Sequence, residues 1–281
     1  MRWQGREGSD NIEDRRGMRM GLPIGGGIGG IVLLLLVSVL TGTNPLDLIN
    51  SSSPDTGGGP ATTTGVRQED PQSKFIAVVL KSTEETWSEI FKTHGKAYRP
   101  PVLVLFTDAT QSGCGVGESA MGPFYCPEDQ KVYLDLSFFR DLAQRFGAPG
   151  EFAQAYVVAH EVGHHVQMLT GVSQRVSAAR QQGRGAESNA LSVRTELQAD
   201  CYAGVWGHYA ARDGLVERGD AEDGLRAAAA IGDDRLQRKT QGRVVPESFT
   251  HGSSQQRVAW LTRGLDSGRM ESCETFEART P

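Results

Sequence analysis

The stretch from Ala155 to Gln167 constrains this chain more than any other, because it sets His160-Glu161-Val162-Gly163-His164 inside an apolar helical pattern. Tyr156, Val157, Ala159, Val162, Val166 and Met168 give it the composition of a helix that crosses a core. Histidines at i and i+4 lie on one helix face about one turn apart, so both imidazoles can address a single ion, for which Zn2+ is the usual choice. Glu161 follows the first histidine, beside the ion and not on it, which is the position of a general base. Gly163 costs such a helix about 1 kcal/mol, a cost accepted where another element must approach closely. The alternative is an ordinary buried helix whose histidines are satisfied by hydrogen bonds alone.

A hydrolytic zinc site takes three protein ligands and leaves one position open. Glu196 is the candidate third ligand, in a second helical pattern from Arg194 to Trp206 with Leu197, Ala199, Ala203, Val205 and Trp206 apolar. Asp200 lies four residues on and shares its face, where it can accept the other ring N–H of a ligand histidine and fix the tautomer. A solvent-facing Glu and Asp is the bland reading of the pair. Cys201 as a ligand is disfavoured, because it points about 100° away from Asp200 around the helix.

His160-Glu161-x-x-His164 with Glu196-x-x-x-Asp200 is similar to the zincins whose third ligand is a glutamate, the thermolysin-like group. These phrases, with Gly122-Pro123-Phe124-Tyr125-Cys126-Pro127 and His251-Gly252-Ser253-Ser254, resemble the bacterial family of "putative neutral zinc metallopeptidases" from Arg2 to Cys273. The resemblance implies a membrane-anchored, peptidase-like protein. It also implies an edge strand able to bind an extended peptide by strand addition.

At 281 residues the chain is long enough for one good-sized domain and an anchor. A net charge of −5 gives no basic face, which excludes nucleic acid as a partner. Residues 1–21 alternate Arg2, Arg6, Arg15, Arg16 and Arg19 with acidic side chains and read as a disordered, cytoplasmic charged tail. Residues 22–41 carry no charge and include Ile31-Val32-Leu33-Leu34-Leu35-Leu36-Val37, long enough for one transmembrane helix across roughly 30 Å of hydrocarbon. The arginines precede that span, so the positive-inside rule places the remainder outside the cytoplasm, periplasmic or at the cell surface. A cleaved signal peptide is the alternative. Residues 42–73, rich in Gly, Ser and Pro, read as a flexible linker.

The expected domain, residues 74–281, is helix-rich α+β of zincin type with a small antiparallel sheet. Phe75 to Phe91 follow helical spacing, and Val102–Phe106 and Lys131–Leu136 read as strands that pair antiparallel. Ser173 to Asn189 is polar and reads as a mobile loop, and Asp223 to Gln237 as one core helix with no chemistry. Four cysteines allow three pairings. Cys114 with Cys126 would close a short ring and leave Cys201 with Cys273.

His251 stands just before a helix that starts with Ser253 or Ser254 as N-cap. It is the candidate donor to the oxyanion of a tetrahedral intermediate, with Arg257 a weaker one. His165 faces another way than His164, and His94 and His208 lack metal spacing. The expectation is therefore a membrane-anchored zinc metallopeptidase acting on a peptide or protein substrate, with His160, His164 and Glu196 as ligands and Glu161 as base. A non-catalytic zinc-binding envelope scaffold is the alternative.

Overall fold

A computed structural model describes residues 1–17, 63–64, 70–183, 185–217 and 219–278. The expected span at 22–41, and the linker apart from 63–64 and 70–73, lie outside the described residues. No helix among the described residues is long and apolar enough to cross a membrane.

Seven strands are described: β1 (Ile12–Asp14), β2 (Thr63–Thr64), β3 (Val102–Phe106), β4 (Ala109–Ser112), β5 (Gly115–Glu118), β6 (Phe124–Cys126) and β7 (Lys131–Asp135). The helices are α1 (Pro71–Thr93), α2 (Ser137–Gln144), α3 (Glu151–Leu169), α4 (Val172–Gln182), α5 (Ala186–Arg212), α6 (Asp220–Ala230), α7 (Asp233–Gln241) and α8 (Ser254–Ser267). The result is helix-rich α+β, as expected.

The larger sheet has the order β2-β1-β3-β7-β6, and β4 and β5 form a separate antiparallel pair. Within the larger sheet β3 and β7 run parallel, Leu103 opposite Val132 and Leu105 opposite Leu134, which corrects the antiparallel pairing expected for them. The reason lies in the intervening chain. It builds β4 and β5 and then β6, and β6 makes the tight antiparallel return onto β7, leaving β7 aligned with β3. Leu103, Leu105, Val132 and Leu134 are buried on one face and Val104 and Tyr133 on the other, in keeping with strands covered on both faces.

Residues 1–16 belong to this folded unit, which overturns the reading of a disordered tail. β1 pairs in parallel with β3, Ile12 is 1% exposed, and the Ser9 amide donates to the Ala77 carbonyl at 2.9 Å. Trp3 packs edge-on against Phe75 and donates its indole N–H to Glu151 at 2.9 Å. The charges that suggested disorder find partners in the fold: Arg15 and Lys131 hold Glu13, each at 2.6 Å, and Arg16 bridges Asp14 and Asp70. Asp70 in turn caps α1, accepting from the Gln72 and Ser73 amides, with Pro71 in the first turn. Composition registers the charges but not their distant partners, Lys131 for Glu13 and Asp70 for Arg16.

This docking bears on topology, since two parts of one folded unit lie on one side of a bilayer. A single crossing between residue 16 and residue 70 would separate β1 from β3. In intact cells, exposed cysteines introduced as Glu7→Cys and Glu128→Cys are expected to share one reactivity toward a membrane-impermeant maleimide. Labelling of one and protection of the other would restore the single crossing and remove β1 from the sheet.

Around the sheet the helices bury a continuous core. Trp206 of α5 stacks on Phe152 of α3 at 5.8 Å, and Trp87 of α1 meets Tyr202 of α5 edge-on at 5.4 Å. α5 crosses α8 at Gly204 and Gly264, where an added Cβ would stand 2.2 Å from the Leu261 carbonyl oxygen or 2.0 Å from that of Cys201. The segment expected as a mobile loop is instead helix α4 and the start of α5, and Val172 and Val176, one turn apart, pin α4 inward. The single helix expected over 223–237 is two, α6 and α7, broken at Ile231 and Gly232. The break lets the chain entering α8 approach closely, because a Cβ on Gly232 would lie 2.3 Å from the Ser254 amide nitrogen.

Candidate metal centre

α3 and α5 carry the site, and they meet at Gly163. A Cβ there would stand 3.1 Å from the Cα and carbonyl oxygen of Ala199, so glycine allows the two backbones to approach and brings Glu196 over His160 and His164. One donor atom from each of His160, His164 and Glu196 lies within 4.8 Å of the others. His160 Nε2 stands 3.2 Å from Glu196 Oε2, and His164 Nε2 stands 3.5 Å from Oε1.

The far nitrogen of each imidazole is held. His160 Nδ1 donates to Asp200 Oδ1 at 2.9 Å, and His164 Nδ1 donates to Gln167 Oε1 at 2.9 Å. Both Nε2 atoms are therefore turned toward the carboxylate between them, as metal-binding imidazoles require. Burial opposes charge on His160, but the Asp200 and Glu196 carboxylates outweigh it and push the imidazole up to about 10. Burial raises the Glu196 carboxyl, and the two imidazoles overcome this and hold it well below the usual carboxylate range. A divalent cation at the two Nε2 atoms would pair with the carboxylate that lies between them, so this donor set fits zinc.

Asp200 is fully buried and four hydrogen bonds converge on it. Oδ1 accepts from His160, from the Tyr156 hydroxyl at 2.6 Å and from Arg257 Nη2 at 2.8 Å, and Oδ2 accepts from Arg257 Nε at 2.8 Å. Burial raises its pKa, but Arg257 and then His160 bring it down to about 2. Arg257, 2% exposed, is thus committed to Asp200, which changes the oxyanion role considered for it. On the other flank, Gln167 donates to the Thr195 carbonyl at 2.7 Å and to Gln198 at 3.1 Å, and Gln198 donates to the Cys273 carbonyl at 3.0 Å. His164 is braced in this way as far as the Cys201–Cys273 disulfide. The other bridge, Cys114–Cys126, ties the β4–β5 turn to the end of β6.

The donor set opens into a cleft of about 1230 Å3. Glu161 lines it, 8% exposed, and burial raises its pKa against the opposing pull of His164 and His160. β6, the edge strand, forms one rim through Phe124 and Tyr125. Phe138, Phe146, Ile231 and Leu236 give one wall apolar character, and Ser173, Ser177 and Arg180 of α4 make another wall polar.

His251 also lines the cleft, with its side chain about half exposed. Its Nδ1 meets Asp233 Oδ1 at 3.2 Å, and this hydrogen bond, with burial opposing it, raises the imidazole pKa. Asp233 Oδ2 accepts the backbone amides of Thr250, His251 and Gly252, so the carboxylate organises the whole turn. Ser253 caps α8 with a capping box to Gln256. His94 bonds Glu271 and His208 bonds the Leu265 carbonyl, away from the donor set.

Asp233, Tyr156, Gln167 and Gln198 were not singled out by the sequence. Gln167 and Gln198 gave a signal in retrospect, being amides in otherwise apolar helical stretches. Asp233 follows the Gly232 break, which is visible as a helix stop and start.

A family described as "putative neutral zinc metallopeptidase" matches residues 1–276. A protein of Escherichia coli named "Uncharacterized protein YpfJ" is 51% identical over 284 residues, covering 98% of this chain and 99% of that protein. Uncharacterised proteins of Mycobacterium bovis and Mycobacterium tuberculosis are 44% identical over 217 residues, covering 73% of this chain and 72% of theirs. No solved structure matches the chain.

Proposed function

Because the chain belongs to the putative neutral zinc metallopeptidase family, we propose that it hydrolyses peptide bonds in an extended peptide or protein segment laid along β6. The observation that carries this reading is the convergence of His160, His164 and Glu196 on one point of an open cleft that also contains the buried carboxylate of Glu161. Zinc at those three ligands supplies Lewis acidity, lowering the pKa of a water and polarising a carbonyl. Glu161 accepts the proton of the attacking water, and a base of raised pKa is suited to pass it on to the departing amine. His251, oriented through Nδ1 by Asp233 and inclined to stay protonated, donates to the carbonyl oxygen as negative charge develops on it. Asp200, Tyr156 and Arg257 fix the His160 tautomer and keep its Nε2 aimed at the ion.

Three protein ligands at the floor of a cleft argue against a purely structural site, which four ligands usually close. Two disulfides fit an oxidising compartment outside the cytoplasm, with the apolar segment 22–41 holding the protein to the membrane.

Elemental analysis of the purified full chain tests the metal. About one zinc per chain is expected, falling in Glu196→Gln while both disulfides and the helical signal persist. A folded, disulfide-intact protein that binds no zinc would falsify the reading.

A further inference from the structure

His165 follows the second ligand histidine on α3 yet points away from the metal, and it is only 1% exposed. Its Nε2 lies 2.6 Å from the Arg99 carbonyl oxygen, on the segment leading into β3. A carbonyl can only accept, so Nε2 carries the hydrogen. That leaves Nδ1, 3.0 Å from the Tyr125 hydroxyl, to accept from the phenol. The ring is held edge-on between Tyr98 at 6.0 Å and Tyr125 at 5.5 Å. One imidazole therefore joins three elements: the metal helix, the entry to β3 and the edge strand β6.

β6 is three residues long and, among the described residues, has one sheet neighbour, β7. Its last residue, Cys126, is paired with Cys114. At the cleft, Tyr125 is the residue that reaches α3 by a side-chain hydrogen bond. A strand this short, anchored along one edge, needs a second support to keep a fixed height above a metal on a different element. We infer that His165 and Tyr125 are positioning residues that set the β6 edge in register with the metal helix, so that an extended substrate pairing with β6 presents one carbonyl to the site. This rests on the peptidase reading above. The sulfur bridge fixes the last residue of the strand covalently, and the imidazole holds its middle residue with a bond whose direction is imposed by the Arg99 carbonyl.

The test uses the full chain with Tyr125→Phe, which removes only the hydroxyl, and His165→Phe, which keeps a ring between the two tyrosines. Amide hydrogen exchange is measured across 124–126 and across α3, and peptide hydrolysis is followed with a long substrate and with a short one that cannot reach β6. Both variants are expected to speed exchange in β6 by about tenfold without changing α3, the effect of losing one hydrogen bond. KM for the long peptide should rise by about the same factor and by more than KM for the short one, with kcat falling less than KM rises and zinc content unchanged. Exchange and KM both unchanged in Tyr125→Phe would overturn the inference even if His165→Phe failed to fold. Faster exchange with an unchanged KM would overturn it too, because the bond would then be structural alone. A wild-type protein that cleaves neither peptide defeats the peptidase reading instead, and the exchange measurement tells that failure apart from this one.

Discussion

Glu161→Gln is expected to lower kcat/KM for peptide hydrolysis by about 100- to 10,000-fold, the usual contribution of a positioned general base. The substitution keeps the shape of the side chain and removes its capacity to take a proton. Glu161 sits in the cleft at 8% exposure and lies beside the donor set without belonging to it, so zinc content should be unchanged. Its carboxylate is also held in an unfavourable state, with burial raising its pKa against the two imidazoles. A neutral amide relieves that cost, so the variant should melt no lower than the parent protein. Zinc analysis, a thermal melt and hydrolysis of one peptide substrate together check the prediction. Undiminished hydrolysis by a zinc-loaded, folded Glu161→Gln protein would exclude Glu161 as the base, and the scaffold reading would gain if the parent protein were inactive as well.

The second large effect concerns Arg257. Arg257→Met keeps much of the side-chain volume but leaves Asp200 ionised and buried without its main counter-charge, and loss of one partner of such a pair costs about 3 to 5 kcal/mol. Two hydrogen bonds to Asp200 and one to the Tyr156 hydroxyl, at 3.1 Å, disappear together. Asp200 could then stay neutral only by taking a proton, which weakens its hold on His160 Nδ1 and so loosens zinc. Urea unfolding and zinc affinity should both fall, and adding Asp200→Asn to Arg257→Met should recover part of the stability while zinc affinity stays low. Equal stability of Arg257→Met and the parent protein would show that the pair is not a net support. The acid limb follows from the same network. Asp200 has a depressed pKa in the folded state, so its contribution is present above its ordinary 3.8 and is lost as the pH falls through about 2.

The candidate donor cluster was readable because its geometry is local. Residues four apart on a helix share a face whatever else the chain does, which placed His160 with His164 and Glu196 with Asp200 before any fold was known. The same logic covers the Ser253 cap and the short Cys114–Cys126 ring, whose ends are close along the chain. Gly163 was legible in kind, as a close approach, but not in partner. Only packing showed that Ala199 is what approaches.

Other features were hidden for a matching reason. The strands Val102–Phe106 and Lys131–Asp135 were identifiable by their apolar runs, yet their relative direction depends on how the connection between them folds, and it folds into three further strands. Residues 1–16 look disordered to any measure of charge and hydropathy, because Glu13 and Arg16 are balanced partly by Lys131 and Asp70, far along the chain. His165 read correctly as turned away from the metal, but what it turns toward lies on two other elements.

By itself the sequence determined the side chains available to this protein: two imidazoles and a carboxylate able to bind zinc, a second carboxylate beside them, and four cysteines. Helical periodicity and short loops are consequences of covalent geometry that survive without a fold. Tertiary structure alone decided how those groups are tuned and aimed. Arg257 and Tyr156 on Asp200, Asp233 behind His251, and His165 under the edge strand are hydrogen bonds between elements distant in sequence, directional over about 3 Å, and they exist only when packing brings the donors and acceptors together.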